Sequence, residues 1–229
     1  MTDRSRQLVL DLPLRPALSR EDFLVTPSNQ AAVALIDQWP QWPGPAALII
    51  GPAGSGKSHL VEVWRQRSGA ARAPLAKLTI DEIPTLMESG SLALEDADCA
   101  PVPETALFHA LNLARQQKGH VLLTAQSRPE AWQVTLRDLA TRLFAVPSIA
   151  ILPPDDTLLR GVLIKHFADR QIAVDEQVVA YLIARMPRSL ESARSLVERI
   201  DRQALEERAE VTRPFVARVL ADFESPGFI

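Results

Sequence analysis

The chain has 229 residues, 47% hydrophobic and 23% charged, enough apolar material for one globular domain and a smaller appended one. Lys and Arg number 25 against 28 Asp and Glu, a net charge of −3, so no global field draws the chain to nucleic acid or acidic membranes. The single cysteine, Cys99, excludes a disulfide framework and a Cys-rich zinc site, and His59, His109, His120 and His166 lack metal-ligand spacing.

No apolar run approaches the length of a membrane span, and residues 1–11 do not read as a signal peptide. The expected location is cytoplasmic. Residues 1–22 contain Pro13 and Pro16 and read as an extended tail. Residues 30–38 read as a helix with Ala31, Leu35 and Ile36 on one side. The stretch Trp39-Pro40-Gln41-Trp42-Pro43-Gly44-Pro45 is a loop, because its prolines fit neither a helix interior nor a central strand. Trp39 and Trp42 in it read as packing anchors.

Residues 46–50 are a continuous apolar run, the mark of a buried strand, followed by a glycine-bearing loop over 51–58 and a helix over 59–67. Further strands are predicted over 75–80, 92–94, 121–124 and 149–152, with helices over 83–88 and 105–117. Strands alternating with helices imply an α/β fold, a parallel sheet with helices on both faces. Beyond Pro153-Pro154 only helical patterns remain, over 156–170, 175–185, 189–206 and 212–223, with Asp175 and Thr212 as N-caps. The expected organisation is a tail over 1–22, an α/β domain over 23–153 and a small helical domain over 154–229.

The loop Gly51-Pro52-Ala53-Gly54-Ser55-Gly56-Lys57-Ser58 matches the phosphate-binding pattern G-x-x-x-x-G-K-[ST]. Glycines let backbone N–H groups turn inward around phosphate oxygens, and the following helix adds its positive end. Lys57 would neutralise the β- and γ-phosphates of ADP or ATP, and Ser58 would ligate Mg²⁺. His59 completes the stretch and reads as structural.

Such a loop needs a carboxylate at the end of a neighbouring strand. Two acidic pairs compete for that place. Asp81-Glu82 follows the first predicted strand after the loop helix, but Lys77 interrupts its apolar run, and both acids also suit a helix N-terminus. Glu95-Asp96 follows the next strand. The later pair is favoured, with Glu95 on Mg²⁺ and Asp96 positioning the attacking water.

The stretches GPAGSGKSHL (51–60), FHALNLAR (108–115) and DLATRL (138–143) resemble the AAA+ module of DnaA-related proteins, the replication initiator DnaA and its short regulatory homologue Hda. The resemblance runs from Phe23 to Phe223. It implies a five-stranded AAA+ sheet with a helical lid. Two features resemble the Hda branch: the chain stops where DnaA continues into its DNA-binding domain, and Gln7-Leu8-Val9-Leu10-Asp11-Leu12 is similar to that branch's motif for the DNA polymerase sliding clamp (β). By this resemblance Gln7, Leu8, Leu10 and Leu12 contact the clamp, and Arg142 is an arginine finger acting on a neighbouring subunit's nucleotide. Gln126 falls at the first sensor, normally Asn or Asp, and Glu191 at the second, normally Arg, with Arg188 and Arg194 one turn to either side. Arg194, Glu198 and Arg202 read as a mixed-charge ladder on one helix. The departures at Glu95, Gln126 and Glu191 weaken the case for autonomous ATP hydrolysis. The implied function is nucleotide-dependent, clamp-tethered promotion of hydrolysis of DnaA-bound ATP, without specific DNA binding or a membrane. The alternatives are a nucleotide-locked adaptor without catalysis and a stand-alone P-loop ATPase. Self-association into a homo-oligomer is left open.

Overall fold

Ala46–Ile50 forms the strand β1, buried along its whole length. An unbroken apolar run has no solvent-facing side, which is what the middle of a parallel sheet requires. The computed structural model describes residues 23–224; the expected clamp contacts Gln7, Leu8, Leu10 and Leu12 lie outside them. Four more strands join β1: β2 (Ala71–Pro74), β3 (Ser91–Glu95), β4 (His120–Ala125) and β5 (Ser148–Ala150). They pair in the order β2-β3-β4-β1-β5, all parallel.

Helices cover both faces, and side-chain alternation sorts the core into two halves. Leu48, Ile50, Leu92, Leu94, Val121 and Leu123 face one side. There they meet α3 (Ile83–Leu86), α4 (Glu104–Gln117) and α5 (Arg137–Ala145) through Ile83, Leu107, Leu111, Leu139 and Leu143. Ala47, Ile49, Ala93 and Leu122 face the other side, against α1 (Gln30–Asp37) and α2 (Lys57–Ser68) through Ile36, Leu60, Val61 and Trp64. The proline-rich loop feeds this second half. Trp42 donates from Nε1 to the Leu35 carbonyl at 2.7 Å and stacks on Trp64 at 5.5 Å, as packing anchors do.

The expected strand over 75–80 is corrected. The chain pairs four residues earlier, at β2, and Leu75–Lys77 is a single 3₁₀ turn. An edge strand needs only one paired side, so its signal is a weak alternation of exposure rather than an apolar run. Pro74 closes it, where a missing N–H costs least. Leu75 and Leu78 are buried as isolated anchors instead. The last strand likewise ends at Ala150 rather than at Leu152, which is exposed.

The described chain divides into two compact units, 23–153 and 154–224. The second is helical throughout: α6 (Asp156–Asp169), α7 (Glu176–Ile183), α8 (Leu190–Glu207) and α9 (Arg213–Glu224). Its core gathers Leu159, Leu163, Phe167, Val179, Leu182, Leu196, Val197, Ile200, Val216 and Val219. Asp155 and Ser189 cap α6 and α8 by accepting from the N–H groups of Leu158 (2.8 Å) and Ser192 (3.2 Å). Asp175 stands at the N-cap of α7 without a side-chain capping bond. The predicted charge ladder is partly realised: Arg194 pairs with Glu198 at 2.9 Å. Glu198 also takes Arg170, which reaches from the C-cap of α6 and approaches Asp201 as well. Tertiary contact thus adds a cation that periodicity along α8 could not reveal.

Candidate functional site

The register of the sheet brings one edge together. Ile50 pairs with Ala125, and Leu94 with Leu123, so β1, β3 and β4 all finish on the same side. In an open parallel sheet that edge is where ligands bind.

The loop 51–58 leaves β1 there. Gly54 and Gly56 adopt positive φ (67° and 98°), conformations that side-chain-bearing residues avoid. Gly56 is the N-cap from which α2 starts at Lys57. Gly51 is fixed by packing: a Cβ there would meet Ser55 Oγ at 2.7 Å. Lys57 is buried and its ammonium donates to the Gly51 and Pro52 carbonyls, at 2.6 and 2.9 Å. Burial pulls its pKa down, opposed by the negative charges of Asp96, Asp98 and Glu95. The Ser55 hydroxyl is buried with no hydrogen-bond partner among the described residues. A cation folded into its own loop beside an unsatisfied hydroxyl fits an anion with several acceptor oxygens.

The acid predicted at the end of β3 is in place. Glu95, only 7% exposed, accepts from Ser58 Oγ at 2.6 Å. A hydroxyl and a carboxylate are the oxygen donors a hard cation such as Mg²⁺ takes. Asp96 follows with φ 52° and an exposed side chain, turning the chain out of the strand. The rejected pair lies apart from this edge's bonding: Glu82 is the N-cap of α3 and accepts from Thr79 Oγ1 at 2.7 Å. Gln126 stands one residue beyond β4, with its side chain exposed. His59 packs edge-on against Phe23 at 4.8 Å, a structural contact.

Sequence reasoning missed two residues of this edge. Asp98 Oδ2 accepts from the Gln126 and Ser127 N–H groups at 2.9 and 2.8 Å and from Ser127 Oγ at 3.0 Å. It fixes the backbone that carries Gln126. Its signal was the acidic repeat Glu95-Asp96-x-Asp98, read only for its first two members. Arg72, from β2, forms an ion pair through Nε with Glu95 Oε2. With β2 misplaced in the sequence reading, Arg72 had no address.

Arg142 lies elsewhere. On α5 its guanidinium stacks over the Phe108 ring at 4.4 Å and hydrogen-bonds Asn112 Oδ1. Both partners belong to the FHALNLAR stretch. Arg142 also lines a cavity with Leu111, Arg115, Pro45, Ala46 and Pro147. Pro45 and Ala46 lie at the start of β1, while the phosphate loop leaves its end. Five residues of strand separate them, roughly 16 Å of extended chain.

The remaining candidates take structural places. Burial raises the Cys99 pKa, which disfavours the reactive thiolate. His120 packs edge-on against Trp39 and Trp42, and burial lowers its pKa. Among the described residues no group of three or more His, Cys, Asp or Glu is poised to hold a metal, and no helix is long and apolar enough to cross a membrane. In the helical unit Glu191 is exposed in the first turn of α8, and Arg188 pairs with Asp156 at 2.8 Å and the Pro154 carbonyl at 3.0 Å.

Comparison with known proteins agrees with this architecture. Residues 156–220 match the family model described as "Hda, lid domain". The fold is similar to domain III of DnaA from Thermotoga maritima, with a TM-score of 0.77 at 18% identity, covering 94% of this chain and 100% of that one. It is similar to AMPPCP-bound DnaA from Aquifex aeolicus, with a TM-score of 0.67 at 18% identity over 84% and 68% of the two chains. RuvB, the Holliday junction branch migration motor of Thermotoga maritima, shares the fold with a TM-score of 0.62 at 14% identity over 78% and 61%. The parallel sheet in the order β2-β3-β4-β1-β5 is similar in fold to DnaA and RuvB, and the helical unit that follows it in the chain matches the Hda lid model.

Proposed function

We propose that the protein binds ADP or ATP at the loop 51–58 and promotes hydrolysis of ATP held by DnaA, presenting Arg142 to that nucleotide. The Hda-type lid and the DnaA-type fold support a DnaA-related regulator of replication initiation. In its own nucleotide site Lys57 would neutralise phosphate charge, and the Ser58 hydroxyl and Glu95 carboxylate would hold Mg²⁺. The metal, when bound, supplies further positive charge at the phosphate oxygens. Gln126 and Asp96 would orient water, and Asp98 steadies the Gln126 backbone. The tail residues Gln7, Leu8, Leu10 and Leu12 would seat the protein on the sliding clamp as an extended peptide in an apolar groove.

One observation carries the reading. Arg142 is held by Phe108 and Asn112 at the sheet edge away from Lys57, so its guanidinium is prepared for a phosphate other than this chain's own. A finger supplied in trans couples hydrolysis to assembly and is worth roughly 10³ to 10⁵ in rate. The test is phosphate release from ATP-bound DnaA in the presence of DNA-loaded clamp. Arg142→Ala should bind nucleotide normally and stimulate at least a hundredfold less, about 3 kcal/mol of barrier. Lysine should rescue poorly, because a point charge lacks the planar fork. Full stimulation by Arg142→Ala would leave the adaptor reading, which Gln126 at the first sensor favours.

A further inference from the structure

Two side chains that would hold a metal ion are already bonded to each other, and a third group completes the set. Ser58 Oγ donates to Glu95 Oε1 at 2.6 Å. The other carboxylate oxygen, Oε2, is engaged by Arg72 Nε. Sheet geometry explains the meeting. Arg72 is the register partner of Ala93 on β3, and Glu95 lies two residues further along that strand. Residues two apart share a face, so Arg72 and Glu95 are diagonal neighbours across the strand pair, within reach of a long side chain.

The consequence is electrostatic. Glu95 is almost wholly buried and stands beside Ser58, in the first turn of α2 after the phosphate loop. An unpaired carboxylate there would repel a polyphosphate, and burial would weaken the screening. Many phosphate loops leave that repulsion to a divalent cation. Here the Arg72 guanidinium, a delocalised cation, sits on that carboxylate. Arg72 belongs to an edge strand and keeps a partly exposed side chain, so its own desolvation cost is small.

We infer that Arg72 serves as a built-in counter-cation for Glu95, so that this loop holds a nucleoside diphosphate with little dependence on a divalent metal ion. Arg72 is a positioning residue: it acts on the phosphates through Glu95 and touches neither them nor the reacting atoms. The inference rests on the proposed nucleotide site at 51–58 and adds to it a property of that site's charge balance.

Calorimetric titration with ADP tests it, in excess Mg²⁺ and in excess EDTA, on the full chain. The wild-type dissociation constant should change by less than about threefold between the two conditions, under 1 kcal/mol. Arg72→Gln should weaken binding about tenfold or more in EDTA, and Mg²⁺ should restore it to within about threefold. Adding Glu95→Gln to Arg72→Gln should recover affinity in EDTA, because the repelling charge is then gone. A purely structural role for Arg72 would lower affinity equally in both conditions and would not be rescued by the second substitution. The inference is overturned if wild-type affinity falls by more than threefold in EDTA, or if Arg72→Gln weakens binding equally with and without Mg²⁺. The wild-type comparison needs no variant, so it decides even where Arg72→Gln impairs folding. ADP binding with strong metal dependence would overturn the inference and leave the nucleotide site standing; no binding under either condition would remove both.

Discussion

Ser58 and Glu95, 37 residues apart in the chain, meet through a hydrogen bond of 2.6 Å. One opens the helix that follows the phosphate loop, the other ends a strand one place removed from β1 across β4. Their contact joins the loop to the sheet edge, where the proposed nucleotide site lies.

The loop's cation is the first point to test. Among the described residues Lys57 donates to the Gly51 and Pro52 carbonyls of its own loop, so truncation removes charge from the proposed phosphate site and leaves the apolar clusters of the sheet in place. Lys57→Ala should fold with an unchanged melting temperature and lose at least tenfold in ADP affinity, about 1.4 kcal/mol. Calorimetry measures this; unchanged affinity would remove the nucleotide assignment.

A second prediction concerns the start of β4. A Cβ on Gly119 would lie 1.9 Å from the Gly90 carbonyl oxygen, and that oxygen already accepts the His120 N–H at 2.8 Å. The obstacle is backbone, so no side chain can swing aside. Gly119→Ala should destabilise the α/β unit by about 1–3 kcal/mol or more, the range of overpacking. Denaturant midpoints against Gly44→Ala, where a Cβ meets nothing within 4 Å, give the comparison. Equal midpoints would contradict the close approach.

The helical unit carries a pH signature. Burial and the charges of Arg170 and Arg194 push the His166 pKa below its ordinary 6.5, outweighing Asp169 and Glu198. The fold therefore favours neutral imidazole, and the unfolded chain binds the proton more tightly. This contribution to stability is complete above about pH 6.5 and is lost as pH falls toward the lowered folded value. The melting temperature should drop between about pH 7.5 and about pH 5.5, and His166→Gln should reduce the drop. An unaltered slope in the variant would assign the acid sensitivity elsewhere.

Clamp tethering is testable without the rest of the mechanism. Substituting Gln7 and Leu8 with Ala removes the polar anchor and one apolar side chain of the proposed peptide motif. Clamp binding, followed by surface plasmon resonance, should fall at least tenfold, about 1.4 kcal/mol, while ADP affinity and the thermal melt stay as in the parent. Retained binding would place the clamp contact outside this motif.

Sequence by itself determined the class of this fold and where the loop 51–58 and Glu95 stand in it. The run Ala46–Ile50, the glycines and Lys57 of the loop, and Glu95 after a short apolar strand are local signals: each depends on residues adjacent in the chain. Helical periodicity beyond Pro154 was legible for the same reason. What only the tertiary structure decided depends on partners distant in sequence. β2 exists because one side of β3 was free to pair, and its own residues announce little. Arg72 reaches Glu95, Asp98 holds the Gln126 backbone, and Asn112 holds Arg142, across 23, 28 and 30 residues. Such contacts follow from strand order and register. Those are set by the packing of whole faces, which no local window of sequence contains.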